Sequence, residues 1–174
     1  MKINQVSVFL ENKPGQLRAA CAEATKAGIN IVTLSLADTE QFGILRLIVQ
    51  DWEKARTVFE RAGFVARVTE VLAIEVSDEP GGLSRILEIV DQAGLNIEYM
   101  YAFTEKRGGK AALVFRFENP DTAEQVLKAN GVNVLRDVEL FRHAKTASWL
   151  EGMGWRDREK SAGEKLVVVV PSFW

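Results

Sequence analysis

The chain has 174 residues, 47% of them hydrophobic and 26% charged, with a net charge of −2. That is the composition of one or two small globular domains, and it argues against a general binder of nucleic acid or of anionic membranes. The single cysteine, Cys21, excludes an internal disulfide framework, and the single histidine, His143, leaves almost no material for a His/Cys metal centre or a His-based triad.

A first strand is expected where Val6, Val8 and Leu10 alternate. "ENKPGQL", residues 11–17, stops it. Leu17, Ala20, Cys21, Ala24 and Ala27 then form one apolar helical stripe that ends at Gly28, so Cys21 reads as a core thiol. Asn30-Ile31 opens a second strand, with Val32, Leu34 and Leu36 on one face, and a third runs from Ile44 to Gln50. Asp51 is a good N-cap for a helix through Ala55, Val58 and Phe59, and a fourth strand is expected over Phe64 to Thr69.

The order then recurs. Pro14, Gly15 and Leu17 have counterparts 66 positions on at Pro80, Gly81 and Leu83. Leu72, Ile74 and Val76 repeat the first strand. Leu83, Ile86, Leu87, Val90 and Ala93 repeat the stripe, and Asn96-Ile97 repeats the second strand. A third strand over Ala111 to Phe117, a helix capped by Asn119 with Pro120 in its first turn, and a strand over Val132 to Leu140 complete the copy. Each copy reads β-α-β-β-α-β. The expected fold is α+β: two tandem ferredoxin-like domains with antiparallel sheets, over residues 1–70 and 71–141, plus a C-terminal extension over 142–174. "VARVTEVLAIEV", residues 65–76, lacks Gly and Pro, so the two copies should be closely held.

The twice-written Pro-Gly turn precedes a helix start, where unpaired N–H groups and the positive end of the dipole can hold a carboxylate. Glycine lets a ligand approach that backbone. Asn12, Asp78, Asn30 and Asn96 bracket the two turns, and amides can hold both ends of an amino acid. In a split βαβ fold the first and second strands are not neighbours, so Asn12 should meet an asparagine of another domain copy.

With "ENKPGQL" followed by "AGINI", and "SDEPGGL" followed by "AGLNI", the chain resembles the ACT domain, an amino-acid-binding regulatory module, over residues 3–141. The first copy is similar to the serine-sensing ACT domain of phosphoglycerate dehydrogenase, and the whole resembles stand-alone tandem-ACT proteins. The resemblance implies an effector site at interfaces between ACT copies. Carried over residue by residue, that site comprises Asn12, Gly15, Leu17, Asn30 and Ile31, and Asp78, Gly81, Leu83, Asn96 and Ile97. It implies no catalysis, no cofactor and no metal. The implied partners are a small amino acid, a second copy in a homodimer and an enzyme of amino-acid metabolism, with no nucleic acid and no membrane. Serine-sensing domains carry a histidine just before "EN"; Leu10 and Val76 stand there in this chain, a departure that speaks against serine and is compatible with a less polar amino acid. An alternative is a detached regulatory subunit such as that of acetolactate synthase, whose second half usually lacks the Pro-Gly copy.

Tyr99, Tyr101 and Phe103 share a face of the second copy's second strand. Two readings arise: packing against another sheet or subunit, which the negative charge favours, and base stacking in a structural or RNA-binding module. In the tail, a short helix before Gly152, a solvated linker and a strand at "KLVVVV" are expected. No apolar run reaches membrane-span length and the N-terminus lacks the apolar core of a signal peptide, so a reducing cytoplasm is the expected location.

Overall fold

The structure, a computed structural model, describes residues 1–38, 42–107, 110–137 and 141. The tail expectations lie outside those residues. In chain order the elements are β1 (Ile3–Glu11), α1 (Gln16–Lys26), β2 (Ile31–Asp38), β3 (Phe42–Val49), α2 (Trp52–Arg61), β4 (Val65–Ser77), α3 (Gly82–Gln92), β5 (Ile97–Arg107), β6 (Lys110–Phe117), α4 (Pro120–Ala129) and β7 (Val134–Leu135). The fold is mixed α+β with an antiparallel sheet of order β2-β3-β1-β4-β6-β5, and β7 pairs with β4.

β4 joins the two repeats. Its residues Val65 to Val71 pair with β1, and Leu72 to Ser77 pair with β6. The absence of Gly and Pro lets one strand run through both halves, so there is no linker. Two helix-facing cores result. Val6, Val8, Leu10, Leu45, Leu47 and Phe59 anchor the first, and Leu72, Ile74, Ile86, Phe115, Phe117 and Leu127 the second.

The opposite faces of the sheet meet each other. Ile3, Ile48, Val71, Ala73, Tyr101, Phe103, Val114 and Leu135 form a third cluster drawn from both halves. The sheet therefore curls, and its edge strands β2 and β5 touch. Tyr101 and Phe103 are only 9% and 5% exposed, which removes the base-stacking reading: a buried ring offers no platform. The aromatic face packs within the chain and needs no second subunit to cover it.

Three details correct the sequence reading. A bulge between Ile31 and Thr33 turns Val32 into the inter-sheet cluster while Leu36 packs on the first core, so Val32, Leu34 and Leu36 do not share one face. In α1 only Ala20 and Ala24 are buried, and Cys21 is half-buried. Its counterpart Leu87 is 38% exposed, because each helix turns a narrower stripe to the sheet than the pattern implies. The last strand stops at Leu135, and Asp137 already has helical backbone.

Candidate functional site

The four helices begin in two different ways. At α2 the side chain of Asp51 accepts from the backbone N–H of Lys54 at 3.0 Å, and at α4 Asn119 accepts from that of Thr122 at 3.1 Å. Neither α1 nor α3 has a side-chain cap; each starts on a left-handed glycine, Gly15 at φ 90° and Gly81 at φ 87°. A Cβ at Gly15 or Gly81 would meet nothing within 4 Å, so both turns leave open space over helix-end N–H groups.

The two turns differ in what surrounds them. At the first, a cavity of about 250 Å³ is lined by Leu10, Glu11, Asn12, Lys13, Gln16, Leu17, Leu36 and Gly43. Lys13 pairs with Glu11 at 2.8 Å, and that hydrogen bond holds its ammonium above the ordinary lysine range. The cavity thus combines amides, an ion pair and an apolar wall at a helix end without a side-chain cap, where the free N–H groups and the dipole suit a carboxylate while Glu11 already engages the Lys13 ammonium. At the second turn Gly82 replaces Gln16. A Cβ there would stand 2.0 Å from the Ser77 carbonyl oxygen, so helix and strand end are in close contact.

The expected site residues separate into four groups. Asn12 and Leu17 line the cavity and Gly15 shapes the turn beside it. Asn30 lies elsewhere, in a cleft of about 870 Å³ with Ile29, Val32, Asp51, Trp52 and Phe141. The reason is topological: β1 and β2 each pair antiparallel with β3, so they run parallel, and the end of β1 and the start of β2 lie at opposite ends of the sheet. Ile31, Leu83 and Ile97 pack against the two cores. Asp78, Gly81 and Asn96 are exposed at the second copy. The sequence reading missed Lys13, Gln16, Leu36 and Gly43. The Lys13–Glu79 and Gln16–Gly82 differences were visible in it as breaks in the repeat.

Among the described residues no His/Cys/Asp/Glu group could hold a metal ion, and no helix is long and apolar enough to cross a membrane. A family model described as an ACT domain pair matches residues 1–144. No curated protein matches. Among solved structures, the chain is similar to protein BT0572 from Bacteroides thetaiotaomicron, at 36% identity and a TM-score of 0.75, over 81% of this chain and 96% of that one. It shares the fold of the regulatory subunit of aspartate kinase from Thermus thermophilus, at 14% identity and a TM-score of 0.54, over 72% and 91% of the two chains. The corresponding subunit from Thermus flavus is alike at 13% identity and a TM-score of 0.53, over 72% and 90%. The chain belongs to the family of ACT domain pairs.

Proposed function

We propose, taking that membership as the premise, that the chain is a non-catalytic regulatory protein that binds a small amino acid and adjusts the activity of a partner enzyme. The observation that carries the reading is the pairing of helix ends. α2 and α4 are closed by their own side chains, whereas α1 and α3 start on open glycine turns. The first turn, with Asn12, Gly15 and Leu17, is the principal effector site. The second, with Asp78, Gly81 and Leu83, is weaker, because an anion that can only accept faces the ligand carboxylate there.

Asn30 joins such a site only from a second copy. β2 is an edge strand, and two-fold antiparallel pairing of two β2 strands would bring the start of one against the end of the other. Leu17 and Leu34, 40% and 39% exposed, flank that edge and supply apolar surface for a homodimer. Asn96 and Ile97 take the corresponding places at β5. Effector coupling in such assemblies is about 1–3 kcal/mol, enough to shift a partner's activity several-fold. The fold shared with aspartate kinase regulatory subunits makes an enzyme of amino-acid biosynthesis the partner class to test first.

The reading is tested by a thermal-shift screen of the purified chain against the twenty amino acids, followed by calorimetry on Asn12→Ala. One or a few amino acids should raise the melting temperature, and Asn12→Ala should weaken them about tenfold. Failure of every amino acid, with the protein folded, would sink the proposal.

A further inference from the structure

The inter-sheet space holds a second polar centre, remote in character from the helix turns. Ser7 of β1 lies opposite Arg46 of β3 on one side and opposite Arg67 of β4 on the other, and Arg46 lies opposite Ser35 of β2. Ser35, Arg46, Ser7 and Arg67 thus form one row across four strands, on the face away from the helices. Strand spacing sets the two arginine backbones about 10 Å apart. Arg46 places its guanidinium 4.0 Å from the Tyr99 ring centroid, and Arg67 places its own 5.7 Å from that of Phe9. An aromatic face attracts a cation but supplies no countercharge. In the adjoining rows stand Thr33, Ile48, Gln5 and Thr69 on one side and Ala37, Ile44, Phe9 and Val65 on the other, and none is acidic.

Hydrogen-bond polarity adds two donors. Gln5, fully buried, accepts from the Tyr101 hydroxyl at 2.9 Å through its carbonyl oxygen. Its amide nitrogen donates to Ser7 Oγ and to the Tyr99 hydroxyl, each at 2.9 Å. This orientation of the amide satisfies the proton of Tyr101, the more buried of the two tyrosines, whose phenol burial pushes well above its ordinary range. Ser7 and Tyr99, having accepted from Gln5, keep their own protons for a further partner. In the next row the buried Thr33 hydroxyl has no hydrogen-bond partner.

The second copy shows what this row looks like when it only has to fold. There Ala73 lies opposite Val114 and Leu135, and Val114 lies opposite Tyr101; all four belong to the buried inter-sheet cluster. Apolar packing suffices for the architecture, so a half-buried arginine, Arg46, in register with a 7% exposed serine is a cost that folding does not require.

We propose that this row is a binding site for a small oxyanion, a carboxylate or a phosphate group, held between Arg46 and Arg67 with the Ser7 and Tyr99 hydroxyls donating to it. Both guanidinium forks match such a ligand, and Arg67, which is exposed, marks the open side by which it enters. The site is independent of the effector turns.

The test is an NMR titration of the arginine Nε–Hε signals of the full chain, with sodium phosphate in one arm and sodium acetate in the other, at constant ionic strength. Saturable shifts at Arg46 and Arg67 in either arm are expected, and the arm that saturates identifies the group. Arg67→Gln, at an exposed position, should keep the melting temperature and weaken binding tenfold or more; Ser7→Ala should weaken it several-fold. Arg46→Lys should retain charge attraction but lose the fork. Non-saturating shifts spread over all arginines in both arms, or an Arg67→Gln variant that binds as tightly as the unaltered chain, overturns the proposal.

Discussion

The two strand-to-helix junctions, "ENKPGQL" and "SDEPGGL", share a Pro-Gly pair, a leucine and the same glycine backbone, yet they are packed differently. Gly15 and Gly81 share a left-handed φ within a few degrees. One position later the copies diverge. Gln16 carries a side chain that lines an open cavity, while Gly82 is buried so close to the Ser77 carbonyl that no Cβ fits. Duplication preserved the helix start, because that start is dictated by backbone conformation. It did not preserve the packing beside that start, where Gly82 lies against the Ser77 carbonyl, nor the side chains around it. A repeated motif in a sequence therefore establishes a repeated turn and leaves the question of a repeated site to its neighbours.

Substitution at the divergent position is the most direct way to break this comparison. Gly82→Ala should destabilise the protein by about 3 kcal/mol, the upper end of overpacking costs, since the new methyl group meets backbone rather than a flexible side chain. Gln16→Ala should cost no more than about 0.5 kcal/mol, as an outward substitution does. Denaturant midpoints at unchanged slope decide it; equal losses would mean that the second junction is as open as the first.

The shared glycines sharpen the comparison further. Gly15→Ala and Gly81→Ala should each cost about 1–2 kcal/mol of stability, because both force an L-residue into left-handed backbone. A valine at either position is a poorer probe, since a β-branched residue at that φ adds strain that mixes folding with binding. With stability matched, the affinities separate the sites: the larger calorimetric loss is expected at Gly15. Asp78→Asn should strengthen binding at the second junction by a few-fold, because it exchanges an acceptor for a donor. A larger loss at Gly81, or no gain from Asp78→Asn, would reverse the proposed order of the two sites.

The architecture was legible because it is periodic. Val6, Val8 and Leu10 alternate, their counterparts alternate 66 residues later, and Asp51 and Asn119 cap the helices that their positions foretell. The edges of that reading fail where a single residue changes the phase or the reach of an element. The bulge before Thr33 moves Val32 to the other face, and nothing in "NIVTLSL" announces it. The curl of the sheet was equally hidden. Tyr99, Tyr101 and Phe103 declare an apolar face, but not that its cover is the first half of the same chain. The cavity residues Lys13, Leu36 and Gly43 come from three elements brought together by strand order, and no local pattern carries that information.

The smallest expected effect concerns how the two halves are held. The amino group of Met1, at the head of the first repeat, pairs with Glu124 of α4 in the second, and Lys128 pairs with the same carboxylate. The hydrogen bond from Lys128, then that from the chain terminus, hold the Glu124 carboxyl below its ordinary range. A depressed carboxyl pKa in the folded state contributes stability that is present above the unfolded value and is lost as pH falls through the folded one. The contribution at neutral pH should be about 0.5 kcal/mol, since one partner is the Met1 amino group and the other is the long side chain of Lys128, 40% exposed. Glu124→Gln should therefore leave stability nearly unchanged at pH 3 and lower it slightly at pH 6, flattening the acid limb of the stability–pH curve. Urea midpoints for both proteins across that interval measure the difference. A loss of the same size at pH 3 would show that Glu124 acts by packing on α4, and that charge contributes nothing to the contact between the halves.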